Sequence, residues 1–389
     1  MLKRMEEDSF RKSLEKIGQS SFSPGNSIKI LKDGDLAFAE VFRAIEKARR
    51  RICLEYYIFH DDETGWNLAE LLARRSREGI GVFLIYDHYG CLSTSGRFWN
   101  FLRKHGAQVR PFHPPRLFHA GSYLHRDHRK LVLVDEEIAF TGGLNVGDEY
   151  RGIRKKKRKG WRDTGIRIQG PIVRPMSEAF RESWRRCGGN EMPGYPFGGT
   201  KGVMGKEDIL LLPLFSSSRE SMRSLRHLLQ YSILSARQSI HLTMAYFIPT
   251  REFLRLLVRA ARRSVEVKII LPGQSDLRVL AYVSRTYYKT LCLAGVKLYH
   301  YQPRVLHAKT MIFDGIWSIV GSANLDARSL KYNYECGVGI LNAGVGKEME
   351  EMFQQDLSDS HPVTLKEISS WPFHERALGT IFSWFRSYL

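Results

Sequence analysis

Residues 52–87 read ICLEYYIF, a polar turn, the stretch LAELLARRSREG and then IGVFLIYD. The outer runs are short, apolar and rich in β-branched and aromatic residues, which predicts strands. The middle stretch repeats its apolar residues at threefold and fourfold spacing, which predicts a helix. Strand, helix and strand at this length make a βαβ unit, which wants a largely parallel sheet covered by helices. The pattern returns over residues 240–272 as IHLTMAYFIP, FLRLLVRAARRS and VEVKIILP. Tyr56, Tyr57 and Ile58 match Tyr246, Phe247 and Ile248. Between the copies, residues 187–206 (CGGNEMPGYPFGGTKGVMGK) are dense in Gly and Pro and read as a linker. The expected fold is α/β: two similar α/β/α sandwich halves with mainly parallel or mixed sheets, over 26–186 and 207–345. A helical extension over 1–25 and a helical segment over 346–389 flank them. If a pseudo-twofold axis relates the halves, a site forms at their interface.

The size and charge fit that reading. A chain of 389 residues, 43% hydrophobic and 12% aromatic, has material for two packed cores. Sixty Lys and Arg against 41 Asp and Glu leave a formal charge of +19, which favours anionic partners without choosing among nucleic acid, anionic lipid and phosphorylated substrate. No run reaches the roughly 18–20 apolar residues that span a bilayer, and the N-terminus lacks the apolar centre of a signal peptide. The expected location is therefore the cytoplasmic side. Five scattered cysteines without a CxxC pair argue against disulfides or a zinc site.

Chemistry recurs with the fold. HRKLVLVDEEIAFTGGLN carries His128, Lys130, Asp135, Gly142, Gly143 and Asn145; HAKTMIFDGIWSIVGSANLD carries His307, Lys309, Asp314, Gly321, Ser322 and Asn324. Both fit HxKxxxxDxxxxxxG[GS]xN with one spacing. His and Lys, two apart at the head of an apolar strand, leave the same face of a sheet. The Asp ends that strand; Asp135 and Asp314 count with the motif's catalytic set, yet their position suits bonding to backbone. The small residues that follow would let a ligand approach the backbone. Two His, two Lys and two Asn meeting at a pseudo-twofold axis suit an anion centred on phosphorus. Lys and Asn would stabilise its oxygens, one imidazole would attack phosphorus and the other would protonate the leaving oxygen. Asp163 and Glu335 are the candidates to orient the imidazoles. His125, Asp127 and His128 crowd together, but adjacent strand residues face opposite ways and the second copy has Val305 and Leu306 there. No metal is expected, and without a GxxxxGK[ST] or GxGxxG loop no nucleotide cofactor either.

The duplicated motif resembles that of the phospholipase D superfamily, and the chain is similar to bacterial cardiolipin synthases without their usual N-terminal transmembrane helices. The likeness covers about residues 27–345. It rests on LEYYIFHDDETG, HRDHRKLVLVDEEIAFTGGLNVGDEY, WRDTGIRIQGPIV, AYFIPTREF and LHAKTMIFDGIWSIVGSANLDARSLKYNYE. The resemblance implies a cofactor-free ping-pong reaction. In it His128 takes the phosphatidyl group and His307 acts as acid, then base. Lys130, Lys309, Asn145, Asn324 and Ser322 hold the phosphoryl oxygens, while Asp163 and Glu335 orient the rings. It also implies anionic phospholipid substrates, with phosphatidylglycerol as donor and acceptor and cardiolipin and glycerol as products. Hydrolysis, transfer to another head group, and nucleic-acid phosphodiester cleavage use the same residues and stand as alternatives.

A lipid enzyme without a spanning helix needs a way onto a peripheral membrane surface. Arg154, Lys155, Lys156, Lys157, Arg158 and Lys159 form six consecutive cations near the first motif, each worth about 1 kcal/mol at an anionic leaflet. The C-terminal LGTIFSWFRSYL offers Ile381, Phe382, Trp384, Phe385 and Tyr388 for interfacial insertion or for capping the second half. Residues 112–123 (FHPPRLFHAGSY) are a further apolar contact. Residues 1–17 read as an amphipathic surface helix. Tyr56, Tyr57, Tyr246 and Phe247 either wall the site against water or pack in the strand cores.

Overall fold

The computed structural model describes residues 5, 7–114, 124–152, 160–192 and 209–384. The first half contributes strands β1 (Ser23–Leu31), β2 (Arg51–Tyr56), β3 (Gly81–Asp87), β4 (Gln108–Phe112), β5 (Lys130–Val134), β6 (Ile138–Gly142) and β7 (Gly165–Gln169). The second contributes β8 (Ile209–Ser216), β9 (Ser239–Met244), β10 (Phe247–Ile248), β11 (Glu266–Pro272), β12 (Lys297–Tyr301), β13 (Lys309–Phe313), β14 (Trp317–Gly321), β15 (Leu325–Asp326), β16 (Glu335–Leu341) and β17 (Ser360–Pro362). Fifteen of these form one sheet in the order β17-β12-β11-β9-β13-β14-β16-β8-β1-β7-β6-β5-β2-β3-β4. Read outward from the β8–β1 junction, the two sides repeat one another strand for strand, apart from the added edge strand β17. The halves therefore share a continuous sheet, joined where β1 and β8 pair antiparallel.

The parallel expectation holds only at the outer strands. β2, β3 and β4 run parallel, as do β9, β11 and β12. The motif strand is instead one arm of an antiparallel hairpin, β5–β6 in one half and β13–β14 in the other. The reason is length: a handful of residues can close a hairpin, whereas a parallel return needs a crossover of a dozen or more.

Alternation along each strand distributes its side chains between two layers. Cys53, Leu131 and Leu133 face a core that both halves share, covered by helices Val173–Arg186 and Ala343–Ser358. Their neighbours Ile52, Leu54, Val132 and Val134 face a core private to the first half. Met311 and Phe313 do the same in the second half while Ile312 joins the shared core. Every residue of β5 and β13 is buried because helices cover both faces. The N-terminal helix Asp8–Gly18 is amphipathic, but its apolar face is sealed. Phe10 and Leu14 are fully buried in the second half's core, with Phe10 stacked on Tyr231 and edge-on to Trp317. This segment thus packs on the second half although β1, next in sequence, belongs to the first. None of the helices among the described residues is long and apolar enough to cross a membrane.

Candidate active site

The site lies at the carboxyl ends of the parallel strands, where open α/β sheets hold their ligands. Lys130 opens β5 opposite Tyr56, the last residue of β2, and Lys309 opens β13 opposite Met244, the last residue of β9. The residues just before each motif strand cross to the other half. The His128 amide donates to the Tyr334 carbonyl at 2.9 Å, and the Tyr334 amide to the Arg126 carbonyl at 2.8 Å. The second crossing copies the first: the His307 amide donates to Arg162 at 2.7 Å, and the Arg162 amide to Val305 at 2.8 Å.

These crossings settle which carboxylate meets which imidazole. His128 Nδ1 lies 3.0 Å from Glu335 Oε2, and His307 Nδ1 lies 2.6 Å from Asp163 Oδ2. Each ring is thus held by an acid from the opposite half. With Nδ1 committed, Nε2 is the nitrogen that faces the chemistry, and in His307 the Lys309 ammonium lies beside it, 3.2 Å from Nε2 and 2.8 Å from Nδ1. Both His, both acids and both Lys are buried. Burial, only partly offset by Glu335, lowers His128 to about 4, so its imidazole is neutral at neutral pH. Burial and the Lys309 charge lower His307 too, against the pull of Asp163. Burial also brings Lys130 down to about 7 and Lys309 to about 8. For Glu335 burial works upward, but His128, Lys130 and the Ser322 hydroxyl outweigh it and hold the carboxyl below its usual value.

The other motif residues divide by task. The Asn145 carbonyl accepts from the Ile58 amide at 3.3 Å while its amide group donates to Tyr150 Oη at 2.9 Å. Asn324 accepts from the Tyr246 amide at 3.3 Å, the equivalent bond in the other half. Ser322 differs from its expected place on the phosphoryl group. Its hydroxyl donates to Glu335, so its one proton is spent behind His128. Asp135 and Asp314 sit at the far ends of their strands, away from the His–Lys pairs. Asp135 accepts from the Arg49, Arg50 and Arg51 amides at 2.7 to 2.9 Å, and Asp314 from those of Arg237, Gln238 and Ser239 at 2.8 to 2.9 Å. They are clamps on the start of β2 and β9, not groups that touch a substrate. The glycines too have another reason than ligand approach: a Cβ at Gly143 would collide with the Asp163 carboxylate, and one at Gly321 with the neighbouring strand at Cys336 and Gly337.

Aromatic rings stand around both imidazoles. Tyr57 lies 4.9 Å from His128 and 5.2 Å from Lys130 Nζ. Tyr150, Trp161 and Tyr246 lie 5.3, 5.4 and 6.2 Å from His307, all between ring centroids. Tyr56 and Phe247 turn the other way into the private cores, as alternation requires of neighbours in extended chain. Sequence reasoning passed over Tyr150. Its signal was its place five residues after Asn145, on the helix turn Asp148–Arg151 that follows the motif. His125, Asp127 and His128 do not converge. His125 Nδ1 bonds the Tyr332 carbonyl at 2.7 Å, and Asp127 faces Glu55 and Arg129 on the opposite side from His128. Residues 154–159, Phe385 and most of the 112–123 loop lie outside the described residues. Trp384 follows the helix Phe373–Ser383 and is 80% exposed, whereas Phe382 packs on the second half's core.

A family model covers most of both halves. The model described as "Cardiolipin synthase, PLD-like domain" matches residues 41–184 and 229–357. A cardiolipin synthase of Geobacillus sp. (strain WCH70) is 33% identical over 370 residues, covering 94% of this chain and 73% of its own length. Cardiolipin synthase A of Pseudomonas entomophila (strain L48) is 32% identical, with 93% and 75% covered. A solved phosphatidylserine synthase of Haemophilus influenzae Rd KW20 shares the fold: TM-score 0.72 at 14% identity, over 97% of this chain and 99% of that one.

Proposed function

The chain belongs to the cardiolipin synthase family of phospholipase D-like proteins, and from that membership we propose that it transfers a phosphatidyl group from one phosphatidylglycerol to another, giving cardiolipin and glycerol. The observation that carries the mechanism is the crossed pair of buried imidazoles, each held at Nδ1 by a carboxylate of the other half. His128 Nε2, neutral at working pH, attacks the donor phosphorus. The phosphorus–oxygen bond to glycerol breaks as His307, made an imidazolium by a proton taken up when the anionic phosphodiester binds, gives that oxygen the proton on Nε2. In the second step His307 takes the proton of an acceptor hydroxyl, whose oxygen bonds to phosphorus as the His128 nitrogen departs. Lys130 and Lys309 neutralise the phosphoryl oxygens throughout, with Asn145 and Asn324 proposed as further donors. Tyr57, Tyr150, Trp161 and Tyr246 crowd the imidazoles and limit the room for water, which favours transfer over hydrolysis.

The chain's positive charge then serves two ends. Lys130 and Lys309 meet phosphate, and the 154–159 cations are proposed to hold the chain against an anionic leaflet on the cytoplasmic face of the inner membrane. The direct test is purified protein with phosphatidylglycerol vesicles and products resolved by mass. Cardiolipin and glycerol in equal amounts are expected; phosphatidic acid as the sole lipid product would replace the reading with hydrolysis.

The lysines give this reading a pH dependence. In the free protein Lys130 titrates at about 7 and Lys309 at about 8, both below their ordinary value. A bound phosphodiester places a negative charge beside them, which favours their charged forms and raises both. Binding should therefore take up protons: the lysines account for about one at pH 8 and for almost none at pH 6, where both are already charged, while His307, lowered in the free protein and needed as an acid, adds to the uptake at either pH. Calorimetry with glycerophosphoglycerol in buffers of different ionisation enthalpy measures this. Proton release on binding would contradict it.

A further inference from the structure

The pseudo-symmetry breaks beside His307. After β3 the chain turns tightly: the Asp87 carboxylate accepts from the amides of Tyr89, Gly90 and Asp127 at 2.8 to 3.0 Å. After β11, the equivalent strand, residues 273–276 and the helix Arg278–Arg285 instead border an open cavity of about 810 Å³. Val305, two residues before His307, and Trp161, 5.4 Å from its ring, line that cavity. Tyr246 links the two spaces as well: its ring flanks His307 and its hydroxyl donates to the cavity's Asp276 at 2.7 Å.

The cavity's charges do not cancel. Three arginines, Arg278, Arg285 and Arg304, face two carboxylates there: Asp276, which stays charged while accepting from the Tyr246 hydroxyl, and Glu375, paired with Arg285, whose guanidinium also lies 4.8 Å over Trp371, so one net positive charge is left. Arg278 and half-buried Arg304 remain, and neither forms a carboxylate ion pair among the described residues. Apolar side chains are exposed on the neighbouring elements. Leu277 is 50% exposed, and the helix Phe373–Ser383, which packs so closely that Gly379 has no room for a Cβ beside the Tyr282 carbonyl, presents Phe373 and Ile381 to solvent.

We propose that this cavity is the acceptor-lipid subsite, in which Arg278 and Arg304 hold the acceptor's own phosphodiester while its free hydroxyl reaches His307. The proposal rests on the phosphatidyl-transfer reading and adds a specificity to it. An acceptor phosphatidylglycerol carries its phosphate three carbons from the reacting hydroxyl. A net positive charge next to the acid/base, with exposed apolar side chains on the adjoining helix Phe373–Ser383, matches that layout. A short neutral alcohol has no such phosphate and gains nothing from the arginines. The placement also gives the two imidazoles their order. The group beside the acceptor removes its proton, so His307 is the acid/base and His128 the nucleophile.

The test uses a phosphatidyl p-nitrophenol donor in mixed micelles, with phosphatidylglycerol and butanol as alternative acceptors. In Arg278→Ala/Arg304→Ala the ratio of cardiolipin to phosphatidylbutanol is expected to fall at least tenfold, through a raised apparent KM for phosphatidylglycerol. Arg278→Lys/Arg304→Lys should recover part of it, which separates lost charge from lost folding. An unchanged ratio, or equal loss of both products with no recovery by lysine, overturns the subsite while leaving the transfer reading intact. Wild-type protein that makes phosphatidylbutanol but no cardiolipin overturns the reading itself, and the subsite with it.

Discussion

His307→Ala should abolish cardiolipin formation, by about 10⁴-fold or more, and yet leave a lipid covalently bound to His128 when the donor is phosphatidyl p-nitrophenol. Glycerol is a poor leaving group and needs the proton that His307 supplies; p-nitrophenolate does not. The first step then survives the substitution, and the second, which needs a base for the acceptor hydroxyl, stalls. The expected trace is a burst of p-nitrophenol equal to the enzyme, followed by near silence. A peptide containing His128 should carry the phosphatidyl mass. His128→Ala should show no burst with either donor. The neutrality of His128, with burial bringing it to about 4, is what makes it competent to attack across the working range. A burst in His128→Ala with the adduct on His307 would reverse the two roles.

Much of this site was legible in the sequence because the fold is a repeat. A single HxK at a strand start has many uses, but two copies at one spacing, each after a matching βαβ unit, leave few. The strands themselves were readable from periodicity, since Ile52–Tyr56 and Ile240–Met244 are short apolar runs with turns close by. Three things were not readable. The antiparallel course of the motif strand depends on hairpin closure, and a continuous apolar run reads the same in either direction. The task of Asp135 and Asp314 depends on three backbone amides brought from the chain segment just before β2 or β9, a tertiary contact without a local trace. The pairing of acids with imidazoles also depends on strand crossing: Glu335 lies nearer His307 in sequence but meets His128 in space. Ser322 belongs to the same blind spot. Its hydroxyl looked available for substrate because the acid it serves comes from β16, thirteen residues on.

The crossed pairing makes a prediction that the sequence order would get backwards. Glu335→Gln should lower turnover by about 10³- to 10⁴-fold, the cost of replacing a buried carboxylate that fixes a catalytic imidazole's tautomer and balances its positive charge. Because Glu335 holds His128, the loss should fall on the first step: no burst of p-nitrophenol, even from the activated donor. Asp163→Asn should cost a similar factor in cardiolipin synthesis but keep the burst, since its partner His307 is not needed to expel p-nitrophenolate. Pairing within each half would exchange the two phenotypes. A second readout follows from charge. Glu335 raises Lys130 by its negative charge, so removing that charge lets burial push Lys130 further below about 7. The alkaline limb of kcat/KM should accordingly move to lower pH in Glu335→Gln. Asp163→Asn should act on the limb chiefly through Lys309, which Asp163 raises more than Glu335 does, whereas on Lys130 Glu335 is the stronger influence. Adding Glu335→Gln to His128→Ala should cost almost nothing more, as expected for a group that acts only through its imidazole. A full additional loss in that double variant, or a burst that survives Glu335→Gln and vanishes in Asp163→Asn, would mean the acids serve the imidazoles of their own halves.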